Sequence, residues 1–348
     1  MKVVSNNCLF RRTLIASALL GVLSATAPVM ANENFSGTVK GHIISGAKAT
    51  VVLKHQGKGL TRTIVADSDG NYILRKLPVG RYTVTVSKPG FESVVKKDYV
   101  VKLGGQIFNP ALLSVNNIEK IEITGSQTTY VDLGSSTGSL VVTQEELSLL
   151  PVNTGFNSVA LLAPGAAKTS GSKFGSSPNI GGSSSAENGY YLNGINITNI
   201  RTGLGVVDIP FAAIAQTEAQ VGGISSEFGN ALGGIINSVS KSGSNEFEFG
   251  VKIRHDNEAL RSRHGDLRNH DGDIYNNIAQ DESDFSRISL EASGPIIKDQ
   301  LFFYAMLAPQ ENSYWNMGAS SASKGESTSE RYMAKLDWYI NDNHSLEL

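Results

Sequence analysis

The sequence predicts a mainly β chain in three parts: a small amino-terminal β-sandwich, a glycine-rich α+β globule, and the first strands of an incomplete antiparallel transmembrane β-barrel. Three observations carry this. Short strand-like runs recur between Asp-Gly and Pro-x-Gly turns in the first third. Apolar and polar residues alternate with period two through the last third. After the leader, no run approaches the roughly 20 apolar residues of a spanning helix, so any membrane crossing falls to strands.

The first residues read as a secretory leader. Lys2, Arg11 and Arg12 form a basic head, Thr13 to Ala27 an apolar stretch ending at Pro28, and Val29-Met30-Ala31 a small-x-small cleavage site. Residues 1–31 are therefore expected to leave as a signal peptide. Cys8, the only cysteine, leaves with them. The mature chain then has no disulfide and no thiolate metal site. Losing the leader's three cations takes the formal charge from -2 to -5. That mildly acidic balance gives no support to nucleic-acid binding.

Residues 32–113 read as the sandwich. Its strands are expected at Gly37–Ile43, Ala49–Leu53, Leu60–Val65, Asn71–Leu74, Arg81–Val86 and Tyr99–Leu103. Tyr82, Val84 and Val86 alternate with Arg81, Thr83 and Thr85, which gives that strand one buried face. Asp67-Ser68-Asp69-Gly70-Asn71 has the look of a calcium loop, but an EF-hand would need Gly and Glu where Tyr72 and Pro78 stand. The Asp-Gly pair reads better as a hairpin turn. Tyr72, Tyr82 and Phe91 offer rings for a sugar, but alternating aromatics are explained more simply by core packing. The string "ADSDGNYILRKLPVGRYTVTVSKPGFE" resembles the carboxypeptidase regulatory-like domain, a transthyretin-like β-sandwich. That resemblance implies a fold sometimes grouped with carbohydrate-binding folds, and no peptidase activity.

Residues 114–140 are a linker holding one alternating segment, Ile118 to Ser126. Its exposed backbone suits it to add as a strand to a partner's sheet. Residues 141–245 are globular again. Thr143-Gln144-Glu145-Glu146 is a capping box opening a short helix, and Ser158 to Leu162 is a second. Gly189 to Ile197 is a strand with an Asn-Gly turn, and Ile214 to Val221 is another apolar element. The strings "LNGINI" and "GGISSEFGNALGGIINSVSKSGSNEF", with "IEKIEITGS" upstream, resemble the plug domain of TonB-dependent outer-membrane receptors. "GPIIKDQLFFYA" and the leading sandwich point to the Oar-like (OmpA-related) branch. The resemblance marks Asn193, Gly194, Phe228, Gly229, Gly233, Gly234, Asn237, Lys241, Ser242 and Gly243 as plug-motif residues. It makes Ile121, Glu122, Ile123, Thr124 and Gly125 the candidate TonB-box-like coupling segment, although a plain linker strand explains this segment equally well.

Residues 246–348 supply the barrel strands. Phe247, Phe249, Val251 and Ile253 face lipid, with Glu248, Lys252 and Arg254 inward. Ile288, Leu290 and Ala292 alternate with Arg287, Ser289 and Glu291. A third strand shows Leu301, Phe303, Ala305 and Leu307 outward over a partly apolar inner face. In a fourth, Tyr332, Ala334, Leu336, Trp338 and Ile340 alternate with Met333, Lys335, Asp337 and Tyr339. A fifth strand begins at Ser345. Connections are expected long at Asp256–Phe285, short at Pro295–Asp299, long at Glu311–Glu330 and short at Asn341–His344, the rhythm of external loops and periplasmic turns. Plugged barrels have about 22 strands, so about five imply the amino-terminal part of a longer receptor or a truncated gene product.

Enzyme signatures are weak. His255-Asp256-Asn257-Glu258, with His264 and His270, matches a zinc-peptidase pattern but sits in a charged loop without an apolar scaffold. Gly134-Ser135-Ser136-Thr137-Gly138 is followed by a strand-like run rather than the helix of a nucleophile elbow. Gly203-Leu204-Gly205 lacks the third glycine of a dinucleotide loop. No catalytic residue, metal site or cofactor is expected.

As the resemblance implies, the expected role is energised uptake of a ligand (siderophore, oligosaccharide or peptide) across the outer membrane of a Gram-negative bacterium. The expected partners are an inner-membrane TonB-type energy transducer, outer-membrane lipid and an extracellular ligand of unknown identity. The alternative is an adhesion or surface-organising protein whose sandwich binds carbohydrate or a partner protein. Dependence on the proton-motive force separates the two.

Overall fold

The computed structural model describes residues 35–114, 138–149, 156–169, 177–205, 209–224, 228–229, 231–257, 262, 265–276, 279–317, 322–341 and 344–348. The leader, residues Ile121–Gly125, Glu258 and His264 lie outside the described residues, as does all of Gly134–Gly138 except Gly138. The chain is mainly β, as its periodicity predicts.

Seven strands build the sandwich: β1 (Gly37–His42), β2 (Thr50–His55), β3 (Thr61–Val65), β4 (Asn71–Leu77), β5 (Gly80–Ser87), β6 (Val94–Val101) and β7 (Gly104–Ile107). They form two sheets, ordered β4-β1-β7 and β3-β2-β5-β6. Val39, Val51, Leu53, Leu74, Leu77, Val84 and Val86 fill the space between them. Tyr72 and Tyr82 belong to this core, with their hydroxyls donating to the Phe108 and Pro78 carbonyls, so neither ring is open to a sugar. The Asp67 carboxylate accepts from the N–H groups of Asp69 and Asn71, which closes the Asp-Gly turn. The expected last strand, Tyr99–Leu103, is displaced. β6 begins at Val94, carries a bulge near Asp98 (φ 55), and ends at Val101. The chain then turns through Gly104 (φ 77) and pairs as β7, parallel to β1. Exposed Lys96 and Lys97 hid the start of β6 from a period-two reading.

The central part is a five-stranded mixed sheet. Its strands are β8 (Gly138–Thr143), β11 (Gly189–Leu192), β12 (Ile195–Asn196), β13 (Ile214–Gly222) and β14 (Ile235–Ser240), in the order β12-β11-β14-β13-β8. Helices α1 (Gln144–Leu149) and α2 (Phe156–Ala160) and a ribbon of β9 (Ala166–Lys168) with β10 (Pro178–Ile180) accompany it. The capping box forms: Thr143 N donates to Glu146 (2.7 Å) and Glu146 N to the Thr143 hydroxyl (3.2 Å). Val142, Phe156, Val159, Tyr190, Ile214 and Ile236 make the core.

The last part is an open antiparallel sheet. β15 (Glu248–Asp256) pairs with the long β18 (Glu282–Ile297); the small hairpin of β16 (Leu267–Arg268) and β17 (Ile274–Asn276) lies in the connection between them. On its other side β18 pairs with β19 (Leu301–Leu307) and then β20 (Gln310–Met317). These pair in turn with β22 (Tyr332–Tyr339) and β21 (Ala322–Ser329), and β22 pairs with β23 (Ser345–Glu347).

This corrects one expectation. Glu311–Glu330 is not a long loop, because most of it is the hairpin β20–β21, which extends the ladder. Its residues are largely polar, and Tyr314 and Trp315 fall on opposite faces of β20, so it carries no period-two signal. Ladder hydrogen bonds do not require one; the signal marks only where a face meets apolar surroundings.

Candidate coupling junction

The plug-motif residues fall into two groups. The first braces the central sheet. Asn193 (φ 48) and Gly194 (φ 79) form the tight turn of the β11–β12 hairpin, a conformation that favours this pair. The Asn193 side chain donates to the Ser240 hydroxyl (2.8 Å) and accepts from Ser240 N (2.9 Å), which ties the turn to the end of β14. Phe228 is buried edge-on against Tyr191, whose hydroxyl donates to the Gly229 carbonyl. Gly233 and Gly234 pass close to Ser183, Asn188 and Ile180, where a side chain would collide. Asn237 is buried in β14, opposite Glu218 of β13. Burial pushes the Glu218 carboxyl up, against the opposing pull of the Gln220 and Ser139 side chains.

The second group is Lys241-Ser242-Gly243, where the chain leaves the central sheet and meets the strands of the open sheet. Lys241 Nζ pairs with Glu291 of β18 at 2.6 Å, and the Tyr304 hydroxyl donates to the same carboxylate at 2.9 Å. Ser242 donates to Asp337 of β22. Gly243 runs against the backbone of Gly294 and Phe303, so closely that any side chain there would overlap them. Ala213 packs beneath, against Tyr304, Met306 and Ala308. This explains the partly apolar inner face of β19: it is covered by the globule, not by water.

The sandwich joins at the same point. Its β2–β3 turn places Lys58, only 6% exposed, with Nζ donating to the Ser242 hydroxyl (2.7 Å) and the Tyr339 hydroxyl (2.9 Å). Lys335 completes the cluster, reaching Asp337 at 3.2 Å and Glu347 at 2.9 Å. Burial holds the Lys58 ammonium below its ordinary range, while Asp337 and Glu347 pull it back up. His55 Nδ1 accepts from the N–H groups of Gly57 and Lys58 (3.1 Å each) and so shapes the turn. Burial, then the neighbouring Lys58, lowers the His55 pKa to about 4, with the Val79 backbone opposing. A second sandwich contact lies on the central sheet. The Gln216 amide receives Leu103 N–H (3.0 Å) and donates to the Val101 carbonyl, and Lys102 pairs with Glu146 (2.9 Å).

The structure therefore gathers Lys241, Ser242 and Gly243 into one junction and leaves the other motif residues as braces of the sheet. Sequence reading did not anticipate Lys58, Asp337, Glu291 or Gln216 as junction residues. A lysine between two glycines reads as a solvated turn, and nothing local announces its burial.

The comparisons with known proteins bear on this architecture. Residues 34–109 match the Carboxypeptidase regulatory-like domain, and residues 132–235 match the TonB-dependent Receptor Plug Domain. Over 382 aligned residues the chain is 29% identical to the "TonB-dependent transporter Oar" of Myxococcus xanthus, an alignment that covers 98% of this chain. The chain carries a carboxypeptidase regulatory-like domain followed by a TonB-dependent receptor plug domain, and it resembles an Oar-type transporter over nearly its whole length. It spans about a third of that relative's length, 35%. Among solved structures, the chain is similar to the outer-membrane transporter YddB of Escherichia coli, with TM-score 0.47, 15% identity, and coverage of 59% of this chain and 31% of that one. It is also similar to a mutant of the ferric enterobactin receptor PfeA of Pseudomonas aeruginosa, with TM-score 0.44, 16% identity, and coverage of 60% and 31%. Most of the glycine-rich globule falls within the stretch that matches the plug domain, and Lys241–Gly243 follows that stretch on the way to the open sheet.

Proposed function

We propose that this chain serves in an outer-membrane receptor for energised, TonB-dependent uptake of a ligand in a Gram-negative bacterium. The observation that carries the reading is the plug exit. Lys241, Ser242 and Gly243 are each seated on a barrel strand whose opposite face is apolar and exposed. That is the arrangement of a plug held against a wall that faces lipid. Residues 1–31 act as the export signal, 32–113 as the sandwich, 114–140 as the linker, 141–245 as the plug, and 246–348 as the start of the barrel. Ligand binds from outside, a TonB-type transducer engages Ile121–Gly125 by strand addition, and force on that segment displaces the plug. No bond of the ligand is made or broken. Siderophore, oligosaccharide and peptide are the candidate ligand classes. Deleting Ile121–Gly125 in the full-length protein is expected to abolish uptake driven by the proton-motive force while sparing ligand binding at the cell surface. Unchanged uptake would refute the coupling role of that segment.

A further inference from the structure

The β2–β3 turn of the sandwich inserts a lysine where the plug meets the barrel strands, and a free sandwich would keep that lysine in water. Taking an ammonium out of water is unfavourable unless partners replace its hydration. Here the replacement comes from the plug exit (Ser242) and from the barrel wall (Tyr339, with Asp337 and Glu347 nearby). The ammonium also lies 4.9 Å above the Tyr339 ring. A second, independent set of contacts holds the same turn. Asn245, just past the exit, donates its N–H to the Gly57 carbonyl (2.7 Å). The Asn245 side chain bonds Asp299, in the turn between β18 and β19, in both directions at 2.7 and 2.9 Å.

We propose that the sandwich is a clasp on the plug exit: Lys58 continues the hydrogen-bonded path from Asp337 through Ser242 into the sandwich, and the exit parts from the barrel wall only after this turn withdraws. The clasp rests on the receptor reading in one respect, that the plug is the element that moves. It gives the leading domain a mechanical role beyond that of a tethered module. Force on the linker that follows the sandwich would act on the clasp and the plug together.

Two experiments on the full-length receptor in outer membranes, on a cysteine-free background, test it. A Cβ at Gly57 would lie 3.4 Å from the Ser244 Cβ, close to the roughly 3.5–4.5 Å spacing of a disulfide. Gly57→Cys with Ser244→Cys is expected to close on mild oxidation in the folded protein, read as a mobility shift lost on reduction. A folded receptor that never forms the bond overturns the docking. Ala213 is fully buried under the barrel wall, so Ala213→Cys reports parting of the plug from that wall. Adding Lys58→Met, which keeps length but removes the charge and its donors, is expected to raise maleimide labelling of that cysteine at least tenfold. Unchanged labelling in a barrel that still migrates as folded overturns the clasp. Neither readout requires a ligand or a transducer, so failure of the uptake reading and failure of the clasp are distinguishable.

Discussion

Strand β5 of the sandwich and strand β22 of the barrel sheet carry the same alternation with opposite polarity. In β5 the buried residues are Tyr82, Val84 and Val86, and the polar Arg81, Thr83 and Thr85 face outward. In β22 the apolar Tyr332, Leu336 and Trp338 are exposed, while Lys335 and Asp337 are 5% and 3% exposed. Period two is a property of the pleat and says only that two faces differ. Which face is inside depends on what surrounds the sheet. Water on the outside of β5 demands polar residues there. An apolar exterior on β22 reverses the assignment and sends the charges inward, where they must find one another.

The buried charges of β22 carry the largest expected effect. Lys335→Met takes away the ammonium that pairs with both Asp337 and Glu347. It is expected to cost about 3–5 kcal/mol, as removing one partner of a buried ion pair does, read from denaturant unfolding of the full-length folded protein. A loss below about 1 kcal/mol would mean that water reaches the cluster.

The sandwich offers the contrasting case, a buried polar ring without full pairing. His55 sits edge-on to Tyr82, and its Nε2 lacks a hydrogen-bond partner of good geometry. Its folded-state pKa, lowered to about 4 from 6.5, gives the sign. Above pH 6.5 the ring is neutral in both states and stability is complete. As pH falls from 6.5 to about 4 the unfolded chain takes up a proton that the folded chain refuses, and about 3 kcal/mol is lost. Protonation would also take away the acceptor that shapes the Lys58 turn. Hydrogen exchange of the β2 and β5 amides against pH should show this slope, and His55→Phe should flatten it. A slope that persists in the variant belongs to another group.

The outer faces give the smallest effect. Leu336→Arg on β22 is expected to cost about 2 kcal/mol in a lipid bilayer, whereas Thr83→Arg on β5 changes stability by less than about 0.5 kcal/mol. Equal tolerance at the two positions would place water, not lipid, against β22.

Much of this was legible in the residues. The sandwich strands from β1 to β5, the capping box at Thr143, the Asn193-Gly194 turn and the outward faces of β15, β18, β19 and β22 all follow from local pattern and turn chemistry. Three features were not legible, each for a physical reason. β6 starts on a lysine-rich edge, where exposure erases alternation. The hairpin β20–β21 is largely polar, with Tyr314 and Trp315 on opposite faces, so its pairing left no period-two signature. Lys58 is buried by groups 184 and 281 residues away in sequence, and no window along the chain contains them.

By itself the sequence determined the periodicity of the strands and the turns that join them, because these rest on steric and hydrophobic preferences acting over a few neighbours. Only the tertiary structure decided that Lys241–Gly243, β22 and the sandwich turn share one buried hydrogen-bonded cluster. A charge is removed from water by whatever packs over it, and what packs over Lys58 comes from two segments distant in sequence.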